Sequence, residues 1–104
     1  KDTRSNMDKI PDKVKEQIIK VIEIFFPDAK IYLFGSRARG THNERSDIDI
    51  AIDAGRLLTM SERGQLNNMI DALNIVQEVD IVDFNNVPEA LKNNILREGI
   101  VWKS

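Results

Sequence analysis

The sequence holds no cysteine and only one histidine. Without thiols there is no disulfide and no thiolate metal centre, and a lone imidazole leaves histidine-rich zinc sites without ligands. Charge of one sign is also lacking. The 15 Lys and Arg against 17 Asp and Glu leave a net charge of −2. A dedicated, sequence-independent nucleic-acid surface is therefore not expected, although a local basic site is not excluded. No apolar run approaches the roughly 20 residues that cross a bilayer. The start is polar through Asn6 and reads as no signal peptide. These absences lead to an expectation of no membrane partner and a cytoplasmic home. Internal repeats, low-complexity tracts and linkers are missing as well.

What is present suits one domain. The chain has 104 residues, 41% of them hydrophobic, enough for one modest core and little more. Residues 1–104 are read as a single domain, with 1–9 expected to be flexible. Ile10, Val14, Ile18, Val21, Ile22 and Phe25 recur at steps of three and four, the apolar face of a helix that Pro27 ends. Residues 30–34 are rich in strand formers and stop at Gly35. Residues 47–53 alternate, with Ile48, Ile50 and Ile52 on one face and Asp47, Asp49, Ala51 and Asp53 on the other, the pattern of a half-buried strand. Thr59 and Glu62 predict a capping box and a helix with Leu66, Met69, Ile70 and Leu73 inward. Residues 78–84 predict a third strand. Asn86 and Glu89 suggest a second capping box before a helix that runs to about Arg97 and stops at Gly99. Ile100, Val101 and Trp102 add a short last strand or pack the terminus. The fold class is α/β (α+β): a small mixed sheet flanked by helices, with strands 30–34 and 47–53 antiparallel and a short helical turn after Ser36.

Asp47 and Asp49, two apart on a strand, project side by side about 6–7 Å apart. Two ionised carboxylates that close repel, and a hard divalent cation such as Mg2+ or Mn2+ resolves the conflict. The plainer reading is the solvent face of an edge strand, with Asp discouraging aggregation. An EF-hand fails, because Ile52 and Leu58 stand where Gly and Glu belong. A P-loop fails, because Thr41 and His42 follow Gly40 where Lys and Ser/Thr are required. Upstream, Gly35 permits close approach to a phosphate, Ser36 offers a hydroxyl and an N–H, and Arg37, Arg39 and Arg45 can pair with phosphate oxygens.

Gly35-Ser36, ten residues, then Asp47-Ile48-Asp49 resembles the GS-x10-DxD signature of the DNA polymerase β-like nucleotidyltransferase superfamily. The stretch GSRARGTHNERSDIDIAID and the size are most similar to its minimal nucleotidyltransferases, small bacterial and archaeal proteins often paired with a HEPN-domain partner. The resemblance covers nearly the whole chain. It implies a third carboxylate on a later strand, carried over to Asp80; Asp83, an odd step away, faces the other side and is expected at the surface or as a cap. Asp53, about 13 Å beyond Asp49 along the strand, is read as solvated. The resemblance further implies two Mg2+ ions (or Mn2+) on Asp47, Asp49 and Asp80, ATP as substrate, and Gly35, Ser36 and Arg39 on the outer phosphates. Arg37 and Arg45 are weaker candidates and His42 weaker still. The chain is not long enough to hold an acceptor domain, so the acceptor comes from a partner or a second copy. The implied partner is a HEPN-type toxin, AMP-modified on a tyrosine by this chain as antitoxin. The competing function is a binding module that neutralises its partner by contact with little or no catalysis. A transferase acting on a small molecule such as an aminoglycoside would need an added acceptor-binding domain.

Overall fold

The apolar stripe beginning at Ile10 becomes the inner face of helix α1 (Asp12–Phe25), whose Ile18 and Ile22 are fully buried. In this computed structural model the described residues are 10–41, 43 and 45–104. The flexibility expected of residues 1–9 and the minor role given to His42 fall outside them. α1 ends at Phe25, with Phe26 as its C-cap just before Pro27, which cannot continue a helix.

Strand β1 (Lys30–Phe34) runs into Gly35 and a single helical turn, α2 (Ser36–Arg39). Strand β2 (Ile48–Asp53) follows the loop, and helix α3 (Met60–Asp71) leads to β3 (Val79–Asp83). A 3-10 turn (Phe84–Asn86), helix α4 (Glu89–Glu98) and β4 (Ile100–Lys103) complete the order. The sheet runs β3-β2-β1-β4. β1 is antiparallel to both β2 and β4, whereas β2 and β3 are parallel, with α3 in the crossover that a parallel pair needs. The mixed sheet is as expected, but β2 is an interior strand. An acidic edge strand that guards against aggregation is thereby ruled out.

Alternation sorts the two faces. Ile48, Ile50 and Ile52 pack with Ile31 and Leu33 against Ile18, Ile22, Leu66 and Ile70 of α1 and α3. Tyr32 and Ala51 face the other way, with Phe84 and Ile95, and the Tyr32 and Phe84 rings stack at 5.5 Å.

The helix starts divide. The Thr59 box forms in both directions: Glu62 N–H donates to Thr59 Oγ1 at 3.0 Å, and Thr59 N–H donates to Glu62 Oε1 at 2.9 Å. The Asn86 box does not form. α4 starts after Pro88 without a side-chain cap, because Asn86 is taken up in the 3-10 turn that Asp83 caps instead. α4 stops at Gly99, whose φ of −70° is not left-handed. A Cβ there would strike the Ile95 carbonyl oxygen, so close backbone approach fixes this glycine. Among the described residues no helix is long and apolar enough to cross a membrane.

Candidate functional site

Strand periodicity and register build the acidic cluster. Asp49 lies in β2, and Asp47 stands just before its first residue. In the parallel ladder Asp49 is the register partner of Asp80 on β3, and across the antiparallel ladder it faces Phe34. Register partners point the same way and lie roughly 5 Å apart. Asp47 and Asp49 share that side by the two-residue period.

The electrostatics report the same convergence. Asp49 is pushed above its ordinary carboxylate value, first by burial, then by the charges of Asp80 and Asp47, while Arg39 pulls it the other way. Among the described residues no three carboxylate or imidazole side chains already surround a common ion position. The aspartates share a face and a field, not yet a coordination sphere. As a donor set they fit a hard divalent cation: oxygen only and net negative, with charges that repel one another unless a cation lies between them.

The Gly-Ser turn closes on this cluster. Gly35 has φ 77° and ψ −154°, and a Cβ built there would land on Asp49 Oδ2. Glycine is required twice over, by its dihedral angle and by its neighbour. Ala38 and Arg39 N–H groups both donate to Gly35 O at 3.1 Å, and Thr41 N–H donates to Ser36 O at 3.0 Å, so Ser36 sits at the head of a tight turn beside Asp49. Arg39 is exposed and near enough to act on the charge of Asp49. The structure therefore brings Gly35, Asp47, Asp49 and Asp80 together, with Ser36 and Arg39 alongside.

Three of the other residues singled out in the sequence lie elsewhere or act differently. Arg37, a weaker phosphate candidate, is 7% exposed. Its Nε donates to Ser46 O at 3.2 Å and its Nη2 to Asn43 O at 3.4 Å, so the guanidinium grips the loop. Asp83 does cap, but it is not at the surface. At 3% exposure it accepts from Leu58 N–H at 2.8 Å and Asn85 N–H at 3.0 Å. Asp53 is half-buried rather than simply solvated, accepting from Asn85 Nδ2 at 2.8 Å and Gly55 N–H at 2.9 Å. Arg45 stays exposed and lines a cleft with Asp47, Val76, Gln77 and Glu78. One signal for Arg37 was legible: residues two apart on a helical turn point about 200° apart, so Arg37 and Arg39 could not share a side.

Comparison with known proteins points to one family. Residues 9–104 match the family model described as polymerase beta, nucleotidyltransferase. A curated relative, the protein adenylyltransferase MntA of Shewanella oneidensis, is 34% identical over 86 residues, which is 82% of this chain but 61% of the relative. The chain thus spans less than two thirds of that relative's length. A crystal structure of a toxin–antitoxin with AMP-PNP superposes with a TM-score of 0.70 at 33% identity, covering 85% of this chain and 71% of that one. A tri-AMPylated Shewanella oneidensis HEPN toxin in complex with its MNT antitoxin gives 0.67 at 29% identity, covering 88% and 70%.

Proposed function

The chain belongs to the polymerase beta nucleotidyltransferase family, and on that premise we propose that it transfers AMP from ATP to a protein hydroxyl, a tyrosine of a HEPN-type toxin, as the cytoplasmic antitoxin of a pair. The observation that carries this reading is the Asp49–Asp80 register partnership with Gly35 laid against Asp49. It sets an acidic cluster beside a turn that a triphosphate can approach. The names of the similar proteins, an adenylyltransferase and an AMPylated HEPN toxin with its antitoxin, support the choice of nucleotide and acceptor.

Asp47, Asp49 and Asp80 would hold two Mg2+ or Mn2+ ions, which when bound neutralise the triphosphate and the charge that develops at the α-phosphorus. The remaining work falls to the chain itself. Gly35 leaves room for the phosphates. The Ser36 hydroxyl and N–H and the Arg39 guanidinium hold the outer two. Asp80 lies on the outermost strand and is exposed, so an acceptor can reach it from outside. It takes the acceptor hydroxyl proton while the new bond forms between that oxygen and the α-phosphorus. The bond from the α-phosphorus to the bridging oxygen breaks, and pyrophosphate leaves with its electron pair. The acceptor hydroxyl belongs to the partner, as the names of the similar toxin–antitoxin complexes support.

The test is to mix the protein with Mg2+, ATP and the product of its neighbouring gene and to weigh both proteins by mass spectrometry. Addition of AMP to the partner is expected with wild type and absent with Asp47→Asn or Asp49→Asn. Unmodified partner, held equally tightly by wild type and variants, would instead establish a module that neutralises by contact.

A further inference from the structure

The reading of Asp47 as a metal ligand leaves open what aims it, and we propose that Arg37 is its positioning residue. Asp47 lies just outside the ladders. The last β1–β2 register pair is Phe34 with Asp49, and the first β2–β3 pair is Ile48 with Val79. Strand pairing therefore fixes Asp47 only from its C-terminal side, through Ile48, whose N–H donates to Glu78 O at 2.8 Å. Its N-terminal side is set by the loop.

That loop is tied into a knot. Ser46 N–H donates to Asn43 O at 3.1 Å, Asn43 N–H donates to Ser46 Oγ at 3.0 Å, and Arg45 N–H donates to Asn43 Oδ1 at 2.8 Å. Arg37 anchors the knot to the Gly35–Ser36 turn. Its guanidinium donates to Ser46 O at 3.2 Å and to Asn43 O at 3.4 Å, and Ser46 is the residue bonded to Asp47. A guanidinium is rarely buried unless its N–H groups are met, and this one is 7% exposed. One side chain thus bridges the phosphate-facing turn to the carbonyl preceding the first aspartate. Arginine suits the task because its planar fork serves two acceptors at fixed angles, which a lysine ammonium does not reproduce.

The inference rests on Asp47 binding a divalent cation, so the measurement is Mn2+ binding, with free Mn2+ counted by electron paramagnetic resonance. It is made on the full chain as wild type, Arg37→Gln, Arg37→Lys, Asp47→Asn and the Arg37→Gln/Asp47→Asn pair. Residues that orient a metal ligand typically change affinity about 10–100-fold when removed. Arg37→Gln is expected to weaken Mn2+ binding by about tenfold or more, with Arg37→Lys between it and wild type. In the Asp47→Asn background Arg37→Gln should add little, because a residue acting through Asp47 has nothing left to position. Mn2+ affinity unchanged in Arg37→Gln despite a lower melting temperature would overturn the inference, as would effects that simply add. Either result leaves the metal-dependent reading standing. Wild type that binds no Mn2+ would overturn that reading and this inference together. If Arg37→Gln fails to fold, Arg37→Lys is read on the same criteria.

Discussion

Asp49 and Asp80 are register partners in the parallel β2–β3 ladder, and the charge of Asp80 is the largest electrostatic contribution raising the pKa of Asp49 after burial. A carboxyl whose pKa is raised by folding binds its proton more tightly in the folded state than in the unfolded one. Its contribution to stability is best at low pH and falls as pH rises through the raised value. The metal-free Asp49→Asn protein should therefore melt at least as high as wild type at neutral pH, and it should lose part of the decline expected of wild type as pH rises through the raised value. Calorimetric melts in chelator across pH 4–8 check this. Parallel pH profiles for the two proteins would contradict it.

Gly35 and Gly40 both have positive φ, 77° and 79°, but they differ in surroundings. A Cβ at Gly35 meets the Asp49 carboxylate, whereas one at Gly40 meets nothing within 4 Å. Both alanine variants should lose roughly 1–3 kcal/mol from backbone strain. Only Gly35→Ala should also displace Asp49 and abolish Mn2+ binding. Urea unfolding alongside Mn2+ titration separates the two effects.

Asp83→Ala removes the acceptor for two backbone N–H groups, those of Leu58 and Asn85. A fully buried donor left without a partner costs about 1–3 kcal/mol; these two are half-buried, so a fall in urea midpoint equivalent to the lower end of that range is expected. Turnover per folded molecule should hold, since Asp83 lies on the strand face opposite Asp80. A loss of turnover without loss of stability would contradict that division.

Glu62 is held down to about 2 from an ordinary 4.5, first by its hydrogen bond from Arg56 and then by the Thr59 N–H. A lowered carboxyl stabilises the fold above its unfolded value, and this contribution is lost as pH falls from 4.5 towards 2. The pair is solvent-facing, with Arg56 52% exposed, so the effect is small. Glu62→Gln should flatten the acid limb of the melting profile slightly, and α3 should fray first when followed by amide exchange.

Much of this was legible because it is local. The alternation at Ile48, Ile50 and Ile52, the Thr59–Glu62 spacing and the distance from Gly35-Ser36 to Asp47 belong to short stretches of chain, and the structure keeps them. Asp80 was legible only through family resemblance, since nothing in residues 78–84 states which strand they will pair with. What escaped was tertiary. Whether Asp83 is buried depends on Leu58 arriving from another element. Whether β2 is an edge depends on β3 taking its far side. Asn86 fitted a capping pattern, but its neighbour Asn85 was already held by Asp83, and the local pattern lost to that longer-range contact.

The seam between antiparallel β1–β2 and parallel β2–β3 also sets a sequence of events. The approach of Gly35 to Asp49 closes a short loop within one hairpin. The meeting of Asp49 with Asp80 requires the whole crossover through α3 to be in place. Loop closure grows costlier with length, and parallel pairing across a crossover comes late and slowly. The Gly35–Asp49 half of the cluster can thus exist in a partly folded chain, while Asp80 arrives only when β3 has docked. On the proposed reading, competence to bind two metals would then be a readout of finished folding, and a chain stalled before β3 docks would present the Gly35–Ser36 turn with an incomplete acidic set.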